Sequence, residues 1–410
     1  MLTKYKKNII IVGLKVISAL VSFIFGIIIT NKISLSESTA YFYGINAAMM
    51  LASLSTLGLK NYILEISGVD NNSDSGVLKK LSSAIVVCII SMFIFSPILL
   101  LYFNDDKEII VVLLLSFSFL LQSLTTSYLY SLKKQNMGII LEIILPYSLL
   151  GYLVYFDYID TYIEISSLLL SIILMCSVFS IFVGKRKYGV IEKINCTDML
   201  NLIKSKKFFN YMLAMIITNL VSYFPTQIGS FFITNQEVAY LLLSIKISSL
   251  IRIFYSAILS IIAPKLAMLH RNGEKDKYVS LVKLSTFLLF IYAIISSAFI
   301  IVFQDLIIGF YGEGFGQLKE VLWIVVLFQS LFISTGLVGH ALMMAGESTA
   351  LRKALTMNII TMLPIATFLS YSFGLQGVAV GYGILLSGQH FFCSILLNKK
   401  LGINILSFKF

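Results

Sequence analysis

The sequence predicts an all-α integral membrane protein of twelve transmembrane helices in two sets of six, with both termini in the cytoplasm. Three observations carry that expectation. The chain is 58% hydrophobic and only 12% charged, about half the ~25% charge of an ordinary soluble domain. Apolar runs near the ~20 residues a bilayer requires recur along it. Lysine and arginine gather on alternate loops, as they do on the cytoplasmic side of membrane proteins. A mean hydropathy of +0.92 over 410 residues excludes a single soluble core.

The expected spans are 8–30, 39–59, 81–103, 109–132, 138–156, 163–183, 209–232, 238–263, 281–303, 321–345, 355–373 and 377–397. The first follows a basic head, Lys4, Lys6 and Lys7. Its apolar run exceeds the ~7–15 residues of a signal-peptide core, and no small-residue cleavage site follows. Asp157 and Asp160 separate spans five and six. Only Gly374-Leu375-Gln376-Gly377 joins the last two, so a tight turn is expected there.

Loop charge sets the orientation. The termini and even-numbered loops, with Lys283 at a helix start, hold 25 of the 31 Lys and Arg residues. The odd-numbered loops hold only Lys32, Lys107 and Lys319, whereas Asp105, Asp106, Glu108, Asp157, Asp160, Glu164, Asp305, Glu313 and Glu320 all lie on the odd side. The longest polar gap, 184–208, carries seven basic residues. Within it Met199, Leu200 and Ile203 form an apolar face, which fits either a short interfacial helix or a solvated linker. The gap divides the chain into an N-lobe at 1–183 and a C-lobe at 209–410. Six is even, so the halves read as parallel repeats. Leu20-Val21-Ser22-Phe23 is echoed by Leu220-Val221-Ser222-Tyr223, and Ala40-Tyr41 by Ala239-Tyr240.

Several function classes drop out. The net charge of +11 is explained by cytoplasmic loops rather than by nucleic acid. Cys88, Cys176, Cys196 and Cys393 form no CxxC or Cys/His pattern, so neither a disulfide framework nor a metal site is expected. No phosphate-binding G-x-x-x-x-G-K motif or nucleotide-sized loop exists, and no cofactor is implied.

Span eight holds the main anomaly. Lys246 and Arg252 lie well inside it, where translocon scales put the cost of each cation at roughly 2.5–3.5 kcal/mol. Such residues persist when they face water, a partner charge or an anionic ligand, and few carboxylates lie at that depth. Arg252 offers a bidentate fork for phosphate oxygens and ranks first. Lys246 ranks second. Lys15 in span one ranks third, since it sits near the cytoplasmic end and can also snorkel. Glu142 in span five is a candidate for ion coupling, or else an acid suited to a helix N-terminus. Asn46, Asn219 and Gln227 are candidate cavity residues, with interhelical hydrogen bonding as the other reading. Gln122, Gln329 and Asn358 are polar at similar depth, and His340 and His390 lie in spans ten and twelve. Pro225 is expected to kink span seven and serve as a hinge.

Four stretches carry a resemblance. They are Glu237-Val238-Ala239-Tyr240 with the serine-rich helix ending at Ala263-Pro264; Phe310-Tyr311-Gly312-Glu313-Gly314-Phe315; Gly336 to Gly346, reading GLVGHALMMAG; and Tyr371 to Ala379, reading YSFGLQGVA. In the first half, Leu54 to Leu59, reading LSTLGL, matches the end of a second helix. In order and spacing these resemble the MATE-like, or MOP, superfamily, and within it the polysaccharide (Wzx-type, O-antigen) flippases. The family's glycine-rich stretch after helix one is replaced here by Ser34–Gly44. The resemblance implies two six-helix lobes around a central cavity that opens alternately to either side. It implies an undecaprenyl-pyrophosphate-linked oligosaccharide as substrate, moved across a bacterial cytoplasmic (inner) membrane. Polymerase and other polysaccharide-assembly proteins would be partners, and the chain would be a transporter, not an enzyme.

Two rival readings follow. A MATE-type ion-coupled exporter of small molecules would share the fold, but an acidic rather than a cationic cavity is expected of it. A membrane-embedded polysaccharide polymerase or transferase would need polar catalytic loops, and here the external candidates reduce to Asp105, Asp106 and Glu108. The major facilitator signature is missing from Lys60–Lys80.

Overall fold

A computed structural model of the chain describes residues 2–59, 74–101, 103, 105–132, 134–188 and 206–405. The helix considered at Met199, Leu200 and Ile203, like Cys196 and most of the 184–208 linker, lies outside the described residues. Among the described residues all regular structure is helical. The long helices are α1 Leu2–Lys32, α2 Leu35–Ser55, α3 Asp74–Phe95, α4 Asp106–Ser131, α5 Gln135–Tyr155, α6 Tyr162–Tyr188, α7 Lys206–Ser222, α8 Asn235–Arg271, α9 Lys275–Val302 and α10 Leu318–Ser334. The stretch Ser348–Leu401 follows, and Gly374 (φ 53°, ψ −130°) divides it into α11 at 348–373 and α12 at 375–401. That backbone is open to glycine and strained for other residues, which explains the turn expected there.

Among the described residues eight helical stretches are long and apolar enough to cross a membrane. Counting the bent pair Phe208–Ser222 and Phe224–Phe231 as one span raises the number to nine. Ser348–Leu401 enters that count as a single stretch. Helices α2 and α3 coincide with the second and third expected spans but fall outside the count. Serines, Glu37 and Asn46 lower the apolarity of α2, and in α3 only Ile85–Phe95 qualifies, as a shorter apolar helix.

The chain divides into two compact units, residues 13–219 and residues 1–12 with 220–410. In the first unit α4 is the central helix, packed on α2 and α6, with Val112, Leu115, Ser116, Leu120 and Leu124 fully buried. Asp105 caps it by accepting from the Lys107 N–H at 3.0 Å, and Asp106 and Glu108 complement the dipole of its first turn. Helix α2 is capped by Ser34, which accepts from the Glu37 N–H at 3.3 Å. The Glu37 carboxylate in turn accepts from the Tyr162 N–H at the start of α6, at 2.6 Å. Helices α2 and α6 approach closely at Gly44, where a Cβ would collide with the Tyr162 ring and hydroxyl.

In the second unit α10 packs on α8, α9 and the stretch 348–401, burying Val321, Leu322, Val325, Val326 and Ile333. A capping box starts α8: Thr234 accepts from the Glu237 N–H, and Glu237 accepts from the Thr234 N–H at 2.8 Å. The Tyr240 hydroxyl donates to the Gly314 carbonyl at 2.9 Å and its ring packs edge-on against Phe315. This ties the loop that follows α9 back onto α8.

Helix α5 contains one irregular turn with a readable cause. Residues Ile140–Ile144 are π-helical, and the Leu145 N–H donates to the Ile140 carbonyl. Pro146 lacks an N–H, so the carbonyls four and five residues before it, Glu142 and Leu141, lose their helical donor. The buried Gln122 of α4 replaces it: its Nε2 donates to the Glu142 carbonyl at 3.0 Å and lies 3.4 Å from that of Leu141. In a dry interior an unsatisfied carbonyl costs about 1–3 kcal/mol. Gln122→Leu is therefore expected to destabilise the purified protein by about that amount. Pro146→Ala restores the missing donor, so adding it to Gln122→Leu should recover most of the loss. Thermal unfolding in one detergent checks this; purely additive effects would contradict it.

Candidate functional site

Helix α8 presents two contrasting faces. Ser244, Ile247, Ser248, Ile251 and Tyr255 are buried against the rest of their own unit. At ~100° per residue, Lys246, Ser249, Arg252 and Ser256 fall within an arc of roughly 120° on the opposite side. Lys246, Ser249 and Ser256 are half-buried and Arg252 is exposed. Position 253 in the same arc is isoleucine, and no carboxylate interrupts it. The Ser249 hydroxyl donates to the Lys246 carbonyl at 2.6 Å and that of Ser256 to the Ile253 carbonyl at 2.8 Å. Both hydroxyls can rotate to donate to a ligand oxygen instead.

Arg252 takes its bearing from aromatic rings. Its guanidinium carbon lies 5.6 Å from the centre of the buried Phe332 ring on α10. The charge is also felt by Tyr255, Tyr382 and His390. Among the described residues no carboxylate forms an ion pair with Arg252. A cation over an aromatic face keeps its hydrogen-bond donors available at its edge. Donors so placed can meet the oxygens of an anion.

The first unit holds a second cluster, centred on the π turn. Tyr130 of α4 donates to the Glu142 carboxylate at 3.0 Å. Lys15 of α1 and Tyr147 of α5 interact electrostatically with that carboxylate. Gly138 lies against the Tyr130 ring, where a Cβ would clash. Lys15 and Glu142, noted separately in the sequence, are thus brought together. The cluster combines a carboxylate, an ammonium and a phenol, a set able to hold and exchange a proton or a small cation.

The remaining candidates are placed as follows. Asn219 is buried, and its Oδ1 accepts from Ser53 of α2 at 2.7 Å, an interhelical bond. Asn46 is half-buried on α2. Gln227 is buried in the short helix Phe224–Gln227. Pro225 occupies the first turn of that helix, after a bend of 69° from α7. His340 is half-buried beyond the end of α10. Among the described residues no three His, Cys, Asp or Glu come together as metal ligands would.

Sequence reasoning missed Phe332 and Tyr130 as partners of the charged groups. One aromatic among 31 Phe and 22 Tyr gives no local signal of its neighbour. The π turn did leave a trace: Pro146 stands four residues after Glu142, the spacing that frees the Glu142 carbonyl.

No protein-family model matches the chain, and no curated protein matches it. Solved structures do. An inward-facing multidrug resistance MATE family transporter of the MOP superfamily aligns with TM-score 0.69 at 13% identity, over 98% of this chain and 99% of its own. A MATE transporter of Vibrio cholerae aligns with TM-score 0.65 at 13% identity, over 97% of each chain. A MOP superfamily transporter from Pyrococcus furiosus aligns with TM-score 0.66 at 12% identity, over 98% and 96%. It is described as having a binding pocket of reverse polarity that suggests a different function. All three are transporters rather than enzymes, and the chain shares the fold of the MATE transporters of the MOP superfamily.

Proposed function

We propose that this chain is a flippase that moves an undecaprenyl-pyrophosphate-linked oligosaccharide across the bacterial cytoplasmic membrane. The observation that carries the reading is the α8 arc, with Lys246, Ser249, Arg252 and Ser256 in line and no acid among them. A pyrophosphate crossing hydrocarbon needs its lost hydration replaced, and fixed cations with hydroxyl donors supply that. Arg252 is the principal ligand and Lys246 the second contact, while Lys15, third in rank by sequence, stands beside Glu142 in the other cluster. The reading takes twelve spans, both termini in the cytoplasm, and alternating access through a cationic cavity. The break before Pro225 serves as hinge. Sugar hydroxyls would be met by polar groups such as Asn46 and Gln227, and polymerase and other polysaccharide-assembly proteins would receive the product.

A second reading has its own support. The matching structures include multidrug transporters, and Glu142 with Tyr130 offers a site for an ion that drives transport. An ion-coupled exporter of small molecules fits the same fold.

Reconstitution separates the two. Proteoliposomes carry undecaprenyl-pyrophosphate oligosaccharide, and glycan accessible to an external lectin is followed with time. The wild type should expose glycan, and Arg252→Glu should slow this by about 10- to 100-fold, the loss of one charge-assisted hydrogen bond to phosphate. An unchanged rate in Arg252→Glu, or transport of cationic drugs without the lipid, would overturn the flippase reading. Glu142→Gln is expected to keep downhill movement while abolishing any acceleration by an imposed pH or sodium gradient. Rates with and without the gradient check this.

A further inference from the structure

The aromatic support under Arg252 extends to α12 and is fixed there by a hydrogen bond. Phe332 packs against His390 with ring centroids 3.9 Å apart and planes inclined by 34°. Tyr255 of α8 completes the group, 5.7 Å from Phe332 and 6.4 Å from His390. All three rings are buried, while the guanidinium above Phe332 is exposed. Thr335, at the end of α10, lies with its Oγ1 2.8 Å from His390 Nδ1 and also donates to the Phe332 carbonyl at 2.7 Å. A hydroxyl has one proton. With that proton on the Phe332 carbonyl, Thr335 accepts from His390, so Nδ1 carries the ring hydrogen. The imidazole is then fixed in tautomer and orientation.

We propose that His390, held by Thr335, is a positioning residue: it fixes the Phe332 ring, and through it the direction in which Arg252 presents its guanidinium to a pyrophosphate. The proposal rests on the anionic-substrate reading above. It uses a property lysine lacks. A guanidinium has a flat face that registers the tilt of the ring beneath it, whereas an ammonium is a point charge with no face. Losing the Thr335 bond should therefore be felt by arginine at position 252 and ignored by lysine there.

The experiment measures farnesyl pyrophosphate binding to the full chain in nanodiscs by titration calorimetry. Thr335→Val removes the hydroxyl at nearly constant shape, and His390→Leu removes the ring. With Arg252 present each should weaken binding about three- to tenfold, the scale of a lost cation–π arrangement. With Arg252→Lys, which binds more weakly from the start, each should change affinity by less than about twofold, the additivity limit of a double-mutant cycle. Thr335→Ser keeps the hydroxyl and should restore wild-type affinity, which a purely steric role for Thr335 would not require. Equal losses in the Arg252 and Arg252→Lys backgrounds would overturn the positioning role while leaving Arg252 as ligand. Wild-type affinity in Arg252→Ala would remove the anion site itself. Thermal unfolding of each variant, and the Thr335→Ser rescue, separate misfolding from misplacement.

Discussion

A guanidinium on a membrane helix must be paired, hydrated or matched to a ligand, and the second unit is arranged around that requirement. Arg252 has no carboxylate partner among the described residues. It stands over Phe332, with its donors left at the edge. The cost of a cation at bilayer depth, roughly 2.5–3.5 kcal/mol on insertion scales, has to be balanced by a favourable partner. Around it α8 carries hydroxyls and a second cation on one arc and small or apolar residues on the face it buries. The helix thus does two tasks with one amphipathic pattern: it packs within its unit and it displays positive charge away from that packing.

The first unit answers the same constraint by different means. Lys15 and Glu142 interact electrostatically, Tyr130 binds the carboxylate, and the π turn that carries Glu142 exists because Pro146 cannot donate. Gln122 then satisfies what the proline leaves open. Backbone groups in lipid must find internal partners, so a helix irregularity of this kind needs a dedicated side chain. The two clusters differ in their chemistry. One is suited to an anionic headgroup, the other to a coupling ion.

Much of the fold was legible because its signals are additive and local. Among the described residues apolar length marks the eight or nine stretches long and apolar enough to cross a membrane, charged loops separate them, and Gly374 (φ 53°) marks the turn between α11 and α12. The second span, expected at 39–59, falls on α2 at Leu35–Ser55, whose serines and Asn46 dilute its apolarity. The charged candidates were visible because cations in apolar runs are rare. Their surroundings were not. That Phe332 lies under Arg252, that Thr335 holds His390, and that Asn219 bonds Ser53 are facts of packing between helices distant in sequence. No periodicity encodes them. The fold itself is shared with proteins only 12–15% identical, so the substrate has to be argued from the side chains on α8 and not from the architecture.

The central claim is that the α8 arc, and not its neighbouring faces, meets an anionic ligand through water. Single cysteines placed in a background lacking Cys88, Cys176, Cys196 and Cys393 test it most directly. Ser249→Cys and Ser256→Cys lie on the arc; Phe254→Cys lies off it, where Phe254 packs against Tyr292. With a membrane-impermeant thiol reagent, the two arc positions should react and be protected by farnesyl pyrophosphate, while Phe254→Cys stays silent. Labelling and protection at Phe254→Cys, with silence at both serine positions, would contradict the account.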